Sequence, residues 1–142
     1  MTDYELKKVY LNVVDRPHDI IVLRINMKVI IAGGREIFDV KLVMQAVRES
    51  GWADKITEIV NGACPSGVDL IAKNIFQEIY PIKYFEAEWD KYGLSAGPRR
   101  NRQMAEYADA LILIWNGKSS GSKSMLQEMT VARKPIFNKV VK

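Results

Sequence analysis

Short apolar runs, separated by loops of small and polar residues, form the main pattern along this chain. The run Ala110–Trp115 lacks the polar alternation of a half-exposed strand, so it predicts a strand buried on both faces of a parallel sheet. Shorter apolar runs predict further strands at residues 28–32, 56–60 and 82–85, and residues 136–137 can close the sheet as a last one.

Helical spacing follows two of these strands. Apolar residues three and four apart trace one helix face between Asp39, a predicted N-cap, and Gly51, which ends the helix. A second apolar face begins at Val68, where Ser66 and Asp69 have the spacing of a capping box. Strands and helices therefore alternate along the chain.

This alternation, joined by right-handed crossovers, predicts a Rossmann-like three-layer α/β/α fold with an open, mainly parallel sheet of about five strands. We expect the strands at residues 28–32 and Ala110–Trp115 to be parallel neighbours at its centre. The domain is predicted to cover residues 27–142. Residues 1–26 form an N-terminal extension, whose apolar spacing fits a helix and a strand equally well.

Composition limits the class of protein. With 142 residues, of which 48% are hydrophobic, the chain fits one domain with a substantial core. No apolar run approaches the ~20 residues of a membrane-spanning helix, and the N-terminus lacks the apolar segment of a signal peptide, so we expect a cytoplasmic protein without a membrane partner. The single Cys64 and single His18 provide no disulfide framework or zinc cluster, and we expect neither a metal nor a cofactor.

Four loops that follow predicted strands carry the candidate chemistry. The carboxyl ends of parallel strands share one edge of a sheet, and ligands of such sheets bind there, so we expect these loops to line one site. Glycine in them permits close backbone approach. The candidate ligand-binding residues are Gly33, Gly34 and Arg35; Gly62, Ala63, Ser66, Gly67 and Asp69; Gly97, Arg99, Arg100 and Asn101; and Ser120, Gly121 and Ser122.

The stretch from Gly97 to Arg102 places three arginines where the first turn of a helix is expected. They face the positive end of the helix dipole, where acids are normally preferred, and no acidic residue lies between Lys91 and Ala105. A bound anion would compensate, held by free backbone N–H groups and by guanidinium groups suited to phosphate. The net charge of +4 is compatible with such a partner, and solvated surface arginines are the alternative.

The loop after the predicted central strand shares this feature. It combines Gly121, several serine hydroxyls and Lys123, and no carboxylate occurs between Asn116 and Glu128. Its spacing is not that of a Walker P-loop, and the chain has no G-x-G-x-x-G motif, so neither standard nucleotide fingerprint applies. A flexible surface turn is the competing explanation.

Three further side chains have two interpretations each. Asp69 can cap its helix, or it can accept hydrogen bonds from a ribose hydroxyl, as acidic side chains do in dinucleotide-binding folds. Trp89 and Tyr92 lie in a long loop and can stack on a base, or they can cover the edge of the core.

In order and content, the four loop motifs resemble those of the YspA-like branch of the SLOG superfamily, relatives of the LOG phosphoribohydrolases and the DprA/Smf proteins. The likeness covers about residues 28–138. It implies a Rossmann-like domain that binds a nucleotide or nucleotide-derived ligand. The motifs are Gly33-Gly34-Arg35, Gly62-Ala63 with Gly67-Val68-Asp69, Ala96-Gly97-Pro98-Arg99-Arg100-Asn101, and Gly121-Ser122 with Met125.

The resemblance also bears on catalysis. LOG enzymes cleave the N-glycosidic bond of nucleoside monophosphates with acidic residues just after a Gly-Gly-x-Gly-Thr loop. Here Ser122 takes the Thr place, and Ser124 and Met125 stand where the acids would be. This departure argues against hydrolysis, because a carboxylate would stabilise the oxocarbenium-like transition state or position water. Asp69 and Glu128 are the candidate catalytic carboxylates.

Three classes of function follow. The first is binding or sensing of a nucleoside phosphate, ADP-ribose or NAD derivative at the carboxyl edge of the sheet. The second is phosphoribohydrolase-like cleavage of such a ligand. The third is DprA-like binding of single-stranded nucleic acid. The distribution of basic residues argues against it, because they cluster at converging loops instead of forming a long stripe. A homo-oligomer is compatible with all three.

Overall fold

Five parallel strands form the centre of the molecule in a computed structural model that describes residues 26–142. The predicted extension of residues 1–26 lies, apart from Asn26, outside the described residues. The strands are β1 (Lys28–Gly33), β2 (Glu58–Asn61), β3 (Ile82–Tyr84), β4 (Ala110–Trp115) and β5 (Ile136–Val140). Their order in the sheet is β3-β2-β1-β4-β5.

Helices cover both faces of this sheet. They are α1 (Val40–Glu49), α2 (Gly67–Phe76), the short α3 (Trp89–Tyr92), α4 (Ala96–Tyr107) and α5 (Ser120–Val131), and a 3-10 turn, Gly93–Ser95, joins α3 to α4. The predicted Rossmann-like three-layer α/β/α fold is therefore confirmed. Within residues 26–142, no helix combines the length and apolar character that crossing a membrane requires.

The predicted central pair of strands is confirmed. β1 and β4 pair in parallel, with Val29 opposite Ala110 and Gly33 opposite Ile114. All six residues of β4 are buried. Alternate side chains of β1 enter two separate cores, because successive residues of a strand point to opposite faces. Val29 and Ile31 join the core under α1 and α2, whereas Ile30 joins the core under α4 and α5.

Two predicted strands, β2 and β5, differ from the structure by more than one residue at one end, whereas β1 and β3 differ by a single residue. Ile56 lies before β2 in a turn, where its N–H donates to the carbonyl oxygen of Trp52 at 3.1 Å. Its side chain is buried in the core, which explains why it extended the apolar run. At the other end of the chain, β5 continues to Val140 and pairs with β4 along five residues.

The two predicted helix caps had different outcomes. The Asp39 cap of α1 is confirmed, since its Oδ1 accepts a hydrogen bond from the Lys41 N–H at 3.0 Å. The capping box at α2 is wrong. Ser66 occupies the N-cap position but makes no side-chain capping bond, and the Asp69 carboxylate accepts from the Cys64 N–H. The carboxylate therefore serves the loop before α2 instead of the helix itself.

The end of α4 is held by a lysine from outside the helix. Lys134 Nζ donates to the carbonyl oxygens of Ala105 and Ala108 at 2.7 and 2.6 Å. A cation here satisfies carbonyl groups that have no partner within the helix and complements the negative end of its dipole. This contact helps to fix α4, and with it the arginines of its first turn, against the sheet.

Candidate ligand-binding cleft

A small cleft with a cavity volume of about 70 Å³ lies at the carboxyl ends of β1 and β4. The chain leaves β1 towards one face of the sheet and leaves β4 towards the other, which makes this the topological switch point where ligands of open α/β sheets bind. Loops from four parts of the chain meet there. The predicted residues that line the cleft are Gly33, Arg35, Asp69, Arg100, Asn101, Gly121 and Ser122.

Glycines bring the β1 loop close to its neighbours. A Cβ at Gly33 would collide with the Ile114 carbonyl oxygen of β4, and a Cβ at Gly67 would collide with the Gly34 carbonyl oxygen. Gly67 also has a φ of 69°, a left-handed conformation that glycine adopts without strain. The Val68 N–H donates to Gly34 O at 3.2 Å. The β1 loop is thus clamped between β4 and the start of α2.

Asp69 is a buried acid at one side of the cleft. Only 9% of its surface is exposed, and its Oδ2 accepts from the Cys64 N–H at 3.1 Å. Burial raises the pKa of Asp69 from 3.8 to about 6, while the Cys64 N–H and the charges of Arg100 and Arg35 act in the opposite direction. Near neutral pH the carboxyl group is therefore close enough to its pKa to exchange a proton.

Arg100 lies opposite Asp69 and is partly buried. Its Nη1 donates to the Gly62 carbonyl oxygen, and its Nε donates to Asn101 Oδ1 at 3.0 Å. A Cβ at Gly62 would lie 2.9 Å from Asp69 Oδ2 and 3.0 Å from Arg100 Nη1, so glycine leaves room for both side chains. Burial lowers the pKa of Arg100, and the charge of Asp69 raises it. The guanidinium group is held rigidly and stays cationic.

The start of α5 forms the opposite wall. Asn101 Nδ2 donates to Gly121 O at 3.3 Å and to Ser124 Oγ at 3.2 Å, which ties α4 to α5. The Ser122 N–H reaches the Oγ of the N-cap residue Ser119 at 3.5 Å, a long contact. The first turn of α5 contains no acid.

Ser122 is the unsatisfied group of this wall. Ser122 lines the cleft and is only 5% exposed as a residue, and its buried Oγ has no hydrogen-bond partner among residues 26–142. A buried hydroxyl without a partner costs roughly 1–3 kcal/mol. The wall of the cleft therefore contains one hydroxyl whose hydrogen bonds are not made within the described residues.

Other predicted site residues lie elsewhere. Gly62 and Ala63 line a groove that adjoins the cleft. Arg99 points away, with Nε 3.2 Å from Ser95 Oγ and its guanidinium carbon 4.2 Å from the centre of the Tyr92 ring. The predicted residues that line neither the cleft nor this groove are Gly34, Ser66, Gly67, Gly97, Arg99 and Ser120.

The two candidate catalytic acids are separated. Asp69 lines the cleft, whereas Glu128 Oε2 lies 3.5 Å from Arg102 Nε on the outer side of α4 and α5. Glu128 does not line the cleft.

Cys64, Met104, Ser119 and Met125 also line the cleft, although they are absent from the predicted ligand-binding set. Helical spacing is a signal that could have found two of them. Met104 lies one turn after Arg100 on α4, and Met125 lies one turn after Gly121 on α5. Their side chains provide an apolar floor between the polar walls.

Comparison of this chain with protein-family models, with curated proteins and with solved structures gave no match. The conclusions about this site therefore rest on its own residues and their geometry.

Proposed function

We propose that this protein binds the phosphate of a nucleotide or nucleotide-derived ligand in the cleft between β1 and β4. The observation that carries the proposal is the buried Ser122 hydroxyl, which lacks a partner among the described residues and belongs to a residue that lines the cleft in the first turn of α5. A helix N-terminus without an acid attracts anions through its free N–H groups and its dipole.

Charges around the cleft support the same ligand. Arg35 and Arg100 line it, and guanidinium groups bind phosphate oxygens through paired hydrogen bonds. Asp69 faces them from α2 and can accept a hydrogen bond from a ribose hydroxyl. The four loops around this edge also carry the resemblance to the YspA-like branch of the SLOG superfamily, and we propose membership of that branch on this basis.

Calorimetry with two matched serine variants tests the proposal. Inorganic phosphate, nucleoside monophosphates, ADP-ribose, NAD and a short oligonucleotide are titrated into wild type, Ser122→Ala and Ser120→Ala. Loss of a hydrogen bond to a charged group costs about 1.5–3 kcal/mol, so Ser122→Ala should weaken phosphate-containing ligands about 10-fold or more. Ser120 is exposed in the same turn, so its variant should bind as wild type does.

Thermal unfolding without ligand gives an independent readout. Ser122→Ala removes an unsatisfied buried hydroxyl, so the variant should be at least as stable as wild type while binding less. Equal ligand affinity in the two serine variants, or binding of the oligonucleotide alone, would contradict the proposal.

Hydrolysis of the N-glycosidic bond is a second candidate, favoured by Asp69. Its raised pKa suits a group that exchanges protons near neutral pH. However, Asp69 is the only acid among the described residues that line the cleft, whereas glycoside hydrolysis normally uses a pair of carboxyl groups. We therefore propose binding with little or no turnover.

Product analysis distinguishes binding from turnover. Purified protein is incubated with nucleoside monophosphates, ADP-ribose and NAD, and free base and ribose phosphate are measured by chromatography. We expect neither product above the buffer control. Base release by wild type that disappears in Asp69→Asn, with Glu128→Gln as the matched control outside the cleft, would establish the enzyme instead.

A further inference from the structure

A second compartment adjoins the cleft. Arg35, Cys64 and Arg100 line both spaces, so the two are adjacent and share one wall. The second compartment has a cavity volume of about 400 Å³ and extends to Glu86 and Trp89. The proposed phosphate site and the second compartment therefore adjoin each other.

Trp89 provides a flat apolar surface in this second compartment. Its side chain is 47% exposed, although it is a large aromatic residue. The indole is held against the start of α4, because a Cβ at Gly97 would lie only 3.1 Å from its Cη2 atom. Arg100 follows Gly97 by one helical turn. The same helix end thus positions both the indole and the arginine of the phosphate site.

Glu86 makes the distribution of charge uneven across the second compartment and the cleft. It is exposed in the second compartment, and it forms no ion pair with a basic side chain among residues 26–142. Arg35 and Arg100 lie at the shared wall, towards the phosphate site. A complementary ligand carries negative charge at one end and hydrogen-bond donors at the other, with a flat ring for the indole.

We propose that the compartment of Glu86 and Trp89 binds the base of a nucleotide and selects guanine, an inference that rests on the proposed phosphate site. Bases stack on exposed aromatic rings, and this contact is tolerant of base identity. The carboxylate supplies the selection because it has only acceptors. Guanine presents two adjacent N–H donors, at N1 and N2, which match the two oxygens of Glu86.

Other bases match this carboxylate less well. Hypoxanthine has the N1 donor but lacks the 2-amino group. Adenine places an acceptor at N1 beside its amino group, so one carboxylate oxygen would face a lone pair. A site that hydrogen-bonds one pattern rejects another when its polar groups are left unpaired.

Calorimetric titration of GMP, IMP, AMP and UMP tests the selection. In wild type, GMP should bind about 10-fold or more tightly than IMP, since the two differ only in the amino group that meets the charged acceptor. In Glu86→Gln the ratio of GMP to IMP affinity should fall to near one. Glu88→Gln is the matched control, because Glu88 is exposed two residues away and does not line the compartment.

The outcomes separate this inference from the proposed function. Equal affinity for all four nucleotides, still weakened by Ser122→Ala, would overturn guanine selection and leave the phosphate site in place. A guanine preference that survives in Glu86→Gln would overturn the assignment of Glu86. If neither nucleotides nor inorganic phosphate bind to wild type, both proposals fail. A preference for GMP that is lost in Glu86→Gln and kept in Glu88→Gln supports the inference.

Discussion

The N-termini of α2 and α5 meet the same edge of the sheet but are completed differently. α2 carries its own acid, Asp69, which is buried in the first turn and takes up the Cys64 N–H. The first turn of α5 has no acid, and the buried Ser122 hydroxyl there has no partner among the described residues. The chain therefore supplies a carboxylate at the N-terminus of α2 but none in the first turn of α5.

This difference is the reason why we propose the α5 end of the cleft as the phosphate site. Both helix ends attract negative charge, because each is the positive end of a helix dipole. At α2 that attraction is offset by a carboxylate whose burial is itself costly, as its raised pKa shows. At α5 the attraction is not offset within the described residues. We therefore propose that an external phosphate binds at α5, in the cleft that Arg100 also lines.

The strongest test makes α5 resemble α2. Ser122→Asp places a carboxylate in the first turn of α5, where it would occupy the proposed phosphate position and repel an incoming anion. We expect the affinity for nucleoside monophosphates to fall by more than about 100-fold, measured by calorimetry. Ser120→Asp is the matched control, because it adds the same charge to the same turn at an exposed position. Comparable losses in both variants would show that only general repulsion is involved.

The second test concerns the free-energy cost of burying the Asp69 carboxylate in α2. Because the pKa of Asp69 is raised in the folded protein, its contribution to stability is complete below pH 3.8 and is lost as the pH rises through about 6. The loss amounts to at most about 3 kcal/mol. The free energy of unfolding, measured with denaturant between pH 4 and 8, should decline less with rising pH for Asp69→Asn than for wild type. Parallel pH profiles of the two proteins would contradict the assignment.

The third test compares the two neighbouring arginines of α4. Arg100→Ala should weaken phosphate binding by about 1.5–3 kcal/mol, because a charge-assisted hydrogen bond is lost. Arg99→Ala should leave the affinity unchanged, since its guanidinium group lies over the Tyr92 ring and outside the cleft. Calorimetric titration with a nucleoside monophosphate measures both. An effect of Arg99→Ala as large as that of Arg100→Ala would place the phosphate elsewhere.

The smallest expected effect is at Gly121. A Cβ there would meet no atom within 4 Å, so Gly121→Ala should stabilise the ligand-free helix by about 0.5–1 kcal/mol in thermal unfolding. The added methyl group would enter the cleft, which Gly121 lines, and should weaken ligand binding. We therefore expect the variant to be more stable than wild type and to bind the ligand more weakly. A stabilised variant that binds fully would show that the ligand does not approach this turn.

Several features of the fold could be predicted because their cause is local. Ala110–Trp115 was identified from its continuous apolar run, and its bounds agree with the structure. The Asp39 cap was identified from residue type and spacing, and its hydrogen bond is formed. Convergence of the glycine-rich loops followed from the geometry of a parallel sheet, whose strand ends share one edge.

The sequence could not show which of two neighbouring residues faces the cleft. Arg99 and Arg100 look alike in the sequence, yet successive helical residues point in different directions, and only the packing of α4 decides which one faces the cleft. Glu128 lies on α5 as Ser122 does, but on a different face, where it meets Arg102. Spacing also misassigned Asp69, because the backbone of the preceding loop brings the Cys64 N–H to its carboxylate.

The sequence by itself determined which residue types follow which strands along the chain. It also determined that the loops carrying these residues would reach one edge of the sheet. Only the tertiary structure decided which groups are buried, paired or left without a partner. The raised pKa of Asp69 and the unsatisfied hydroxyl of Ser122 depend on atoms from several distant segments. Desolvation and hydrogen bonding are set by all neighbours in space, so no local pattern contains them.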